Sequence, residues 1–83
     1  MSIRGYMLVE TEVGRTETVG LALRDMKSAS ATVSAVDTVT GPFDMIVQLE
    51  AADLDDLGKC ITADIQGIDG IHRTTTCLAV SLA

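Results

Sequence analysis

From Tyr6 to Val13, apolar and polar side chains alternate. Met7, Val9 and Thr11 fall on one side and Tyr6, Leu8 and Glu10 on the other, the two-residue period of an extended strand. Gly14 interrupts that run, and from Thr16 the spacing lengthens. Thr16, Val19, Ala22, Leu23 and Met26 share one helical face, while Glu17, Arg24 and Asp25 lie off it. The segment Lys27 to Ser30 ends this helix. Ala31 to Thr40 is rich in β-branched residues (Thr32, Val33, Val36, Thr38 and Val39) and predicts a second strand. Gly41-Pro42 predicts a tight turn, because proline fixes its own φ and biases the residue before it toward extended backbone. Phe43, Met45, Val47 and Leu49 then alternate with Asp44, Ile46, Gln48 and Glu50 as a third strand. Asp53 is placed to cap a second helix, with Asp55 and Asp56 suiting the positive end of its dipole. Leu54, Leu57, Ile61 and Ile65 form the apolar stripe of that helix. Gly58 lies within the stripe and costs up to about 1 kcal/mol of helix propensity, so a close approach of helix to sheet is expected there. Gly67 and Gly70 bracket the helix exit. Ile71 to Leu82 reads as the last strand, with Leu78, Val80 and Leu82 on one side.

The predicted order is β-α-β-β-α-β, the split βαβ arrangement. The fold class is therefore α+β and ferredoxin-like: a four-stranded antiparallel sheet with two helices on one face, of the dimeric α/β-barrel type. The whole chain, 1–83, is expected to be one domain. Two helices cover only one face of such a sheet. The other face is expected to carry Leu8, Val36 or Val39, Ile46 and the residues alternating with Leu78. The chain is 47% hydrophobic with one Phe, one Tyr and no Trp, so its aliphatic surface exceeds what so small a body buries alone. A homo-oligomer follows, most simply a dimer with two sheets stacked face to face.

Charge and chemistry narrow the function. Six basic residues against twelve acidic ones leave a net charge of −6, so direct nucleic-acid binding is not expected. Met7-Leu8-Val9 is cut off by Glu10 and Glu12, and neither a signal peptide nor a membrane span is expected. Two cysteines outside any CxxC spacing fit a reduced, cytoplasmic protein, and both Cys60 and Cys77 are expected to be buried small hydrophobes. His72, the single histidine, has no ligand partners at metal spacing, and Asp53, Asp55 and Asp56 lack the pattern of a calcium loop. No catalytic residue, metal or cofactor is expected, and Tyr6 reads as a packing residue. Asp44 stands out because a rigid turn delivers its carboxylate to a fixed place, either as a turn cap or as a ligand contact. Thr74 and Thr76 present hydroxyls on one side of a strand, although β propensity alone accounts for their type.

Four segments, taken together and in order, resemble the ligand-binding domain of the Lrp/AsnC (feast/famine) transcription regulators. They are Glu12-Val13-Gly14, then Val39-Thr40-Gly41-Pro42-Phe43-Asp44, then Ala51-x-Asp53-Leu54-x-x-Leu57, and Ile68-x-Gly70-Ile71-x-Arg73-Thr74-x-Thr76. The resemblance covers nearly the whole chain. It departs from full-length members in lacking a helix-turn-helix domain, so a stand-alone regulatory module is expected. The resemblance implies dimers joined through their sheets, rings of dimers, and a free amino acid bound near the hairpin turn and the start of the last strand. Carried onto this sequence, Gly41 and Asp44 belong to the turn motif and Thr74 and Thr76 to the strand. Asp44 would accept from the ligand's ammonium. Donors to its carboxylate would come from hydroxyls or from the backbone of Gly41 or Phe43, with Ser34 a further candidate. The expected function is a non-enzymatic amino-acid-binding and oligomerisation module that modulates full-length Lrp/AsnC regulators by mixed assembly. The alternatives are a small monooxygenase-like enzyme of the same barrel type, for which this chain has few suitable side chains, and an ACT-like allosteric module.

Overall fold

A computed structural model of the protein describes residues 2–80. Its elements run β1 (Ile3–Thr11), α1 (Thr16–Asp25), β2 (Ala31–Thr38), β3 (Met45–Ala51), α2 (Leu54–Lys59) and β4 (Ile71–Leu78), and a π-helical segment, Cys60–Ile65, continues α2. The strands form one antiparallel sheet in the order β2-β3-β1-β4. This is the ferredoxin-like βαββαβ arrangement that the alternation of periods predicts.

Register decides which side of the sheet is covered. Met7 lies opposite Val47 and Val9 opposite Met45, so the apolar halves of both central strands face the same way. Val19 and Leu23 of α1, Leu57 of α2, and Cys60 and Ile65 of the π-helical segment close over them, and all of these residues are buried. Each large aliphatic side chain withdrawn in this way contributes about 1.5–3 kcal/mol before entropy is counted. On the opposite side Leu8 faces both Ile46 and Thr75, and Tyr6 faces both Gln48 and Cys77. No helix among the described residues covers that face, and its central side chains are half-buried by one another.

Several local expectations change. β1 begins at Ile3 because Ile3 and Arg4 pair with Ala51 and Glu50. It ends at Thr11, where the Glu12 amide turns away to the carbonyl of Gly70 at 2.8 Å. β2 carries a bulge between Val33 and Ala35. The extra residue reverses the alternation beyond it, so Val36 faces Val47 on the covered side and not the open one. Val39 lies past the end of β2, as Phe43 lies before the start of β3. Leu54, in the first turn of α2, is 60% exposed; Cys60 joins Leu57 and Ile65 in the core in its place. Gly58 is not a point of close approach, since a Cβ there would meet nothing within 4 Å. The close approach comes from β1, where a Cβ on Gly5 would lie 3.2 Å from Leu57 Cδ2. Cys60 is buried as expected but Cys77 is exposed, because its position opposite Tyr6 puts it on the open face. β4 ends at Leu78, and Leu82 lies outside the described residues.

Candidate functional site

Antiparallel pairing brings the C-terminal end of β1, the N-terminal ends of α1, β3 and β4, and the β2–β3 turn to one end of the sheet. The turn spans Val39 to Asp44 and is closed by the Val39 amide donating to the Asp44 carbonyl at 2.9 Å. Gly41 holds φ at +132, a backbone that side-chain-bearing residues rarely adopt. Asp44 is locked further by its own amide, which donates to the Val9 carbonyl at 2.9 Å.

The Asp44 carboxylate does not cap its own turn. Its Oδ2 accepts from the Thr11 amide at 2.8 Å and from the Thr11 hydroxyl at 3.1 Å. Thr11 Oγ1 is also 2.7 Å from Thr16 Oγ1. Thr11 has one hydroxyl proton, and a carboxylate only accepts, so the Thr16 hydroxyl is the donor in the threonine pair. The chain Thr16–Thr11–Asp44 ties the hairpin turn to the corner between β1 and α1. It leaves the second carboxylate oxygen for another donor.

The opposite flank of β1 carries the start of β4. Thr74 lies opposite Val9 and Thr76 opposite Met7, so both hydroxyls share the helix-covered side, with Thr74 half-buried and Thr76 exposed. Asp44 and Thr74 therefore stand at the same level on either side of β1, roughly 10 Å apart at the backbone given ordinary strand spacing. Thr74 lines an open concavity of about 320 Å³ with Gln66, Ile71, His72 and Arg73. Ser34 is not brought to this end. It sits in the β2 bulge, beside residues paired with Gln48 and Leu49, midway along β3 toward its far end. A larger hollow, about 640 Å³, also lies at that far end, lined by Ser2, the Ser28–Thr32 turn and Glu50–Ala52. It is bigger but chemically plainer, with a single charged side chain.

Two further contacts frame the site. The Arg15 guanidinium pairs with Asp69 at 2.8 Å, holding the Asp69 carboxyl below its usual range and raising the guanidinium's own value. Gly70 has φ +101, and a Cβ on it would lie 2.9 Å from Val19 Cγ2 and 3.0 Å from Arg15 Cβ. Thr11, Thr16, Gln66 and Arg73 did not emerge as site residues from the sequence. The threonines flank the Gly14 break and could have been noticed as a pair. Arg73 stands within the motif that carries the family likeness. Gln66 joins the concavity only through the way the chain leaves the π-helical segment.

A ferredoxin-like βαββαβ sheet whose connecting loops gather at one end places the chain among the small α+β domains. The chain belongs to the Lrp/AsnC ligand binding domain family, which matches residues 5–82. A Thermus thermophilus protein is similar at 27% identity, covering 98% of this chain and 96% of that one, with a TM-score of 0.85. A hypothetical protein from Pyrococcus horikoshii is similar at 29% identity, over 95% and 90% of the two chains, with a TM-score of 0.82. A Neisseria meningitidis transcriptional regulator, solved as a complex with L-Met, shares the fold at 11% identity and a TM-score of 0.79. That match covers 96% of this chain and 51% of the regulator. No protein of curated function matches the chain. No helix among the described residues is long and apolar enough to cross a membrane.

Proposed function

We propose that the chain is a non-enzymatic effector module that binds a free α-amino acid at the end of the sheet carrying Asp44 and Thr74, and that works as a homo-oligomer. The observation that carries this reading is the family match across residues 5–82. The geometry supports it: the free oxygen of Asp44 suits an ammonium, and Thr74 and Thr76 offer hydroxyls across β1. The complex of the Neisseria regulator with L-Met shows a free amino acid bound to a protein of this fold. Gly41 and Phe43 shape the turn, and their backbone amides are further donors. Ser34 would meet this site only from a second copy. The open sheet face supports a dimer, and an amino acid held between dimers of a ring would couple ligand to assembly. Mixed assembly with full-length regulators of the family is the regulatory output, and the module acts in the cytoplasm.

The test is a thermal-shift panel of the twenty L-amino acids, with oligomer mass measured in the same buffers. At least one amino acid is expected to raise the melting temperature and change or tighten the assembly. A panel in which none of the twenty shifts the transition overturns the reading.

A further inference from the structure

Arg24 and Lys27 flank the end of α1, and neither makes an ion pair among the described residues. They rim a groove of about 260 Å³ beside β2, an outer strand of the sheet. Arg24 is laid along that strand by donating to the Val36 carbonyl at 3.4 Å. Met26, Ala31 and Val33 form the floor, half-buried against the core, and no acidic side chain lines the groove. The dipole of α1 accounts for a cation in its last turn. It does not account for an apolar floor left open between two cations in a chain of net charge −6.

The complementary shape is on the same chain. Leu54, in the first turn of α2, is 60% exposed, with Asp53, Asp55 and Asp56 around it. None of those three carboxylates makes an ion pair among the described residues. An apolar knob in an acidic ring matches an apolar floor in a basic rim, and charge matching of this kind sets which surfaces meet. Groove and knob border one hollow of about 640 Å³. Ser28 and Ala31 line both the groove and the hollow, and Ala51 and Ala52, which also line the hollow, lead into Asp53. Two copies related by a twofold axis through the hollow would therefore exchange the contact reciprocally.

We propose that the first turn of α2 docks into the Arg24–Lys27 groove of a second copy of this chain. Leu54 lies on Met26, Ala31 and Val33, and Asp55 and Asp56 face Lys27 and Arg24. The contact deepens the homo-oligomer reading above and uses none of the residues assigned to the effector. Both surfaces belong to the helix-bearing side, so the open sheet face stays free to stack on another copy. Two distinct twofold contacts on one chain build an assembly larger than a dimer.

The experiment is light scattering and native mass spectrometry over a dilution series of the whole chain, with Lys27→Glu, Asp55→Lys and Leu54→Ser beside wild type. The wild type is expected to exceed a dimer at high concentration, and added salt should lower its mass. Each variant should weaken this step about tenfold or more. Lys27→Glu mixed with Asp55→Lys should regain it, because each mixed pair then carries one native and one reversed ion pair. All three positions are exposed, so melting temperatures at low concentration should stay near wild type. Leu54→Ser leaves the charge of α2 as it is, so it tests the contact even where Asp55→Lys loosens the helix. Higher assembly that all three variants retain overturns the inference and leaves the open-face dimer in place. Loss in both charge variants without recovery on mixing overturns it too, by showing a general charge effect. A wild type that stays dimeric, unchanged in every variant, overturns it and leaves the groove to a different acidic partner. A dimer that falls to monomers in the variants and re-forms on mixing supports the contact and assigns the pair to it. A wild type that is monomeric at every concentration removes the inference and the homo-oligomer reading together.

Discussion

Gly70 and Gly58 show how much a single hydrogen's worth of side chain depends on its surroundings. Gly70 combines φ +101 with a Cβ position already occupied by Val19 and Arg15. Gly58 has no neighbour within 4 Å of its Cβ position and lies inside α2. Gly70→Ala should therefore cost roughly 2–4 kcal/mol, summing backbone strain and overpacking. Gly58→Ala should add about 0.5–1 kcal/mol, from helix propensity and a less flexible unfolded chain. Urea denaturation of the two variants beside wild type checks both signs. A destabilised Gly58→Ala would mean that this helix face is covered in the assembled protein. Asp44 belongs to the same scale. Asparagine can still accept from the Thr11 amide and so should keep the corner closed while losing the charge that an ammonium needs. Asp44→Asn is therefore the substitution that separates binding from folding.

At the scale of elements, the loop before α1 is fastened to the loop before β4. The Glu12 amide meets the Gly70 carbonyl, and Arg15 pairs with Asp69. The sign of the pH dependence follows from the carboxyl. Asp69 titrates below its ordinary value of 3.8 in the folded chain, chiefly because Arg15 hydrogen-bonds it. Its contribution is therefore present above the unfolded value and disappears as the pH falls through the lower folded one. Asp69→Asn should be less stable than wild type at neutral pH, by a margin that shrinks with added salt and closes in acid. Melting curves across that range decide it; a margin that persists in acid would assign the effect to the side-chain shape rather than the charge. The elements themselves were legible because Met7, Val9, Val47 and Leu49 alternate while Val19 and Leu23 follow a helical period, and Asp53 caps α2 by accepting from the Asp56 amide at 2.8 Å. The bond from Asp44 to Thr11 was not legible. Its partners are 33 positions apart, and no local period reports a contact that only strand pairing creates. The bulge at Ser34 was hidden for a related reason: inserting one residue into β2 reverses its alternation without changing its composition.

For the whole molecule, the two cysteines are built-in reporters of the face that the helices leave open. Cys60 lies in the core, where burial pushes its thiol up, so it stays protonated and inert near neutral pH. Cys77 is exposed on the open face, opposite Tyr6 and close to the centre formed by Leu8 and Ile46. A dimer that stacks two such faces would withdraw Cys77 from solvent and leave Cys60 unchanged. Alkylation by iodoacetamide, read by mass spectrometry, should then modify Cys77 slowly at high protein concentration and faster on dilution through the dimer's dissociation range. Cys60 should react only when denaturant is added. The concentration dependence is the informative quantity, because a slow but constant rate at Cys77 would reflect local packing within one chain. A fast rate at every concentration would show the open face free in solution, and the aliphatic surface of this acidic domain would then have to be covered elsewhere.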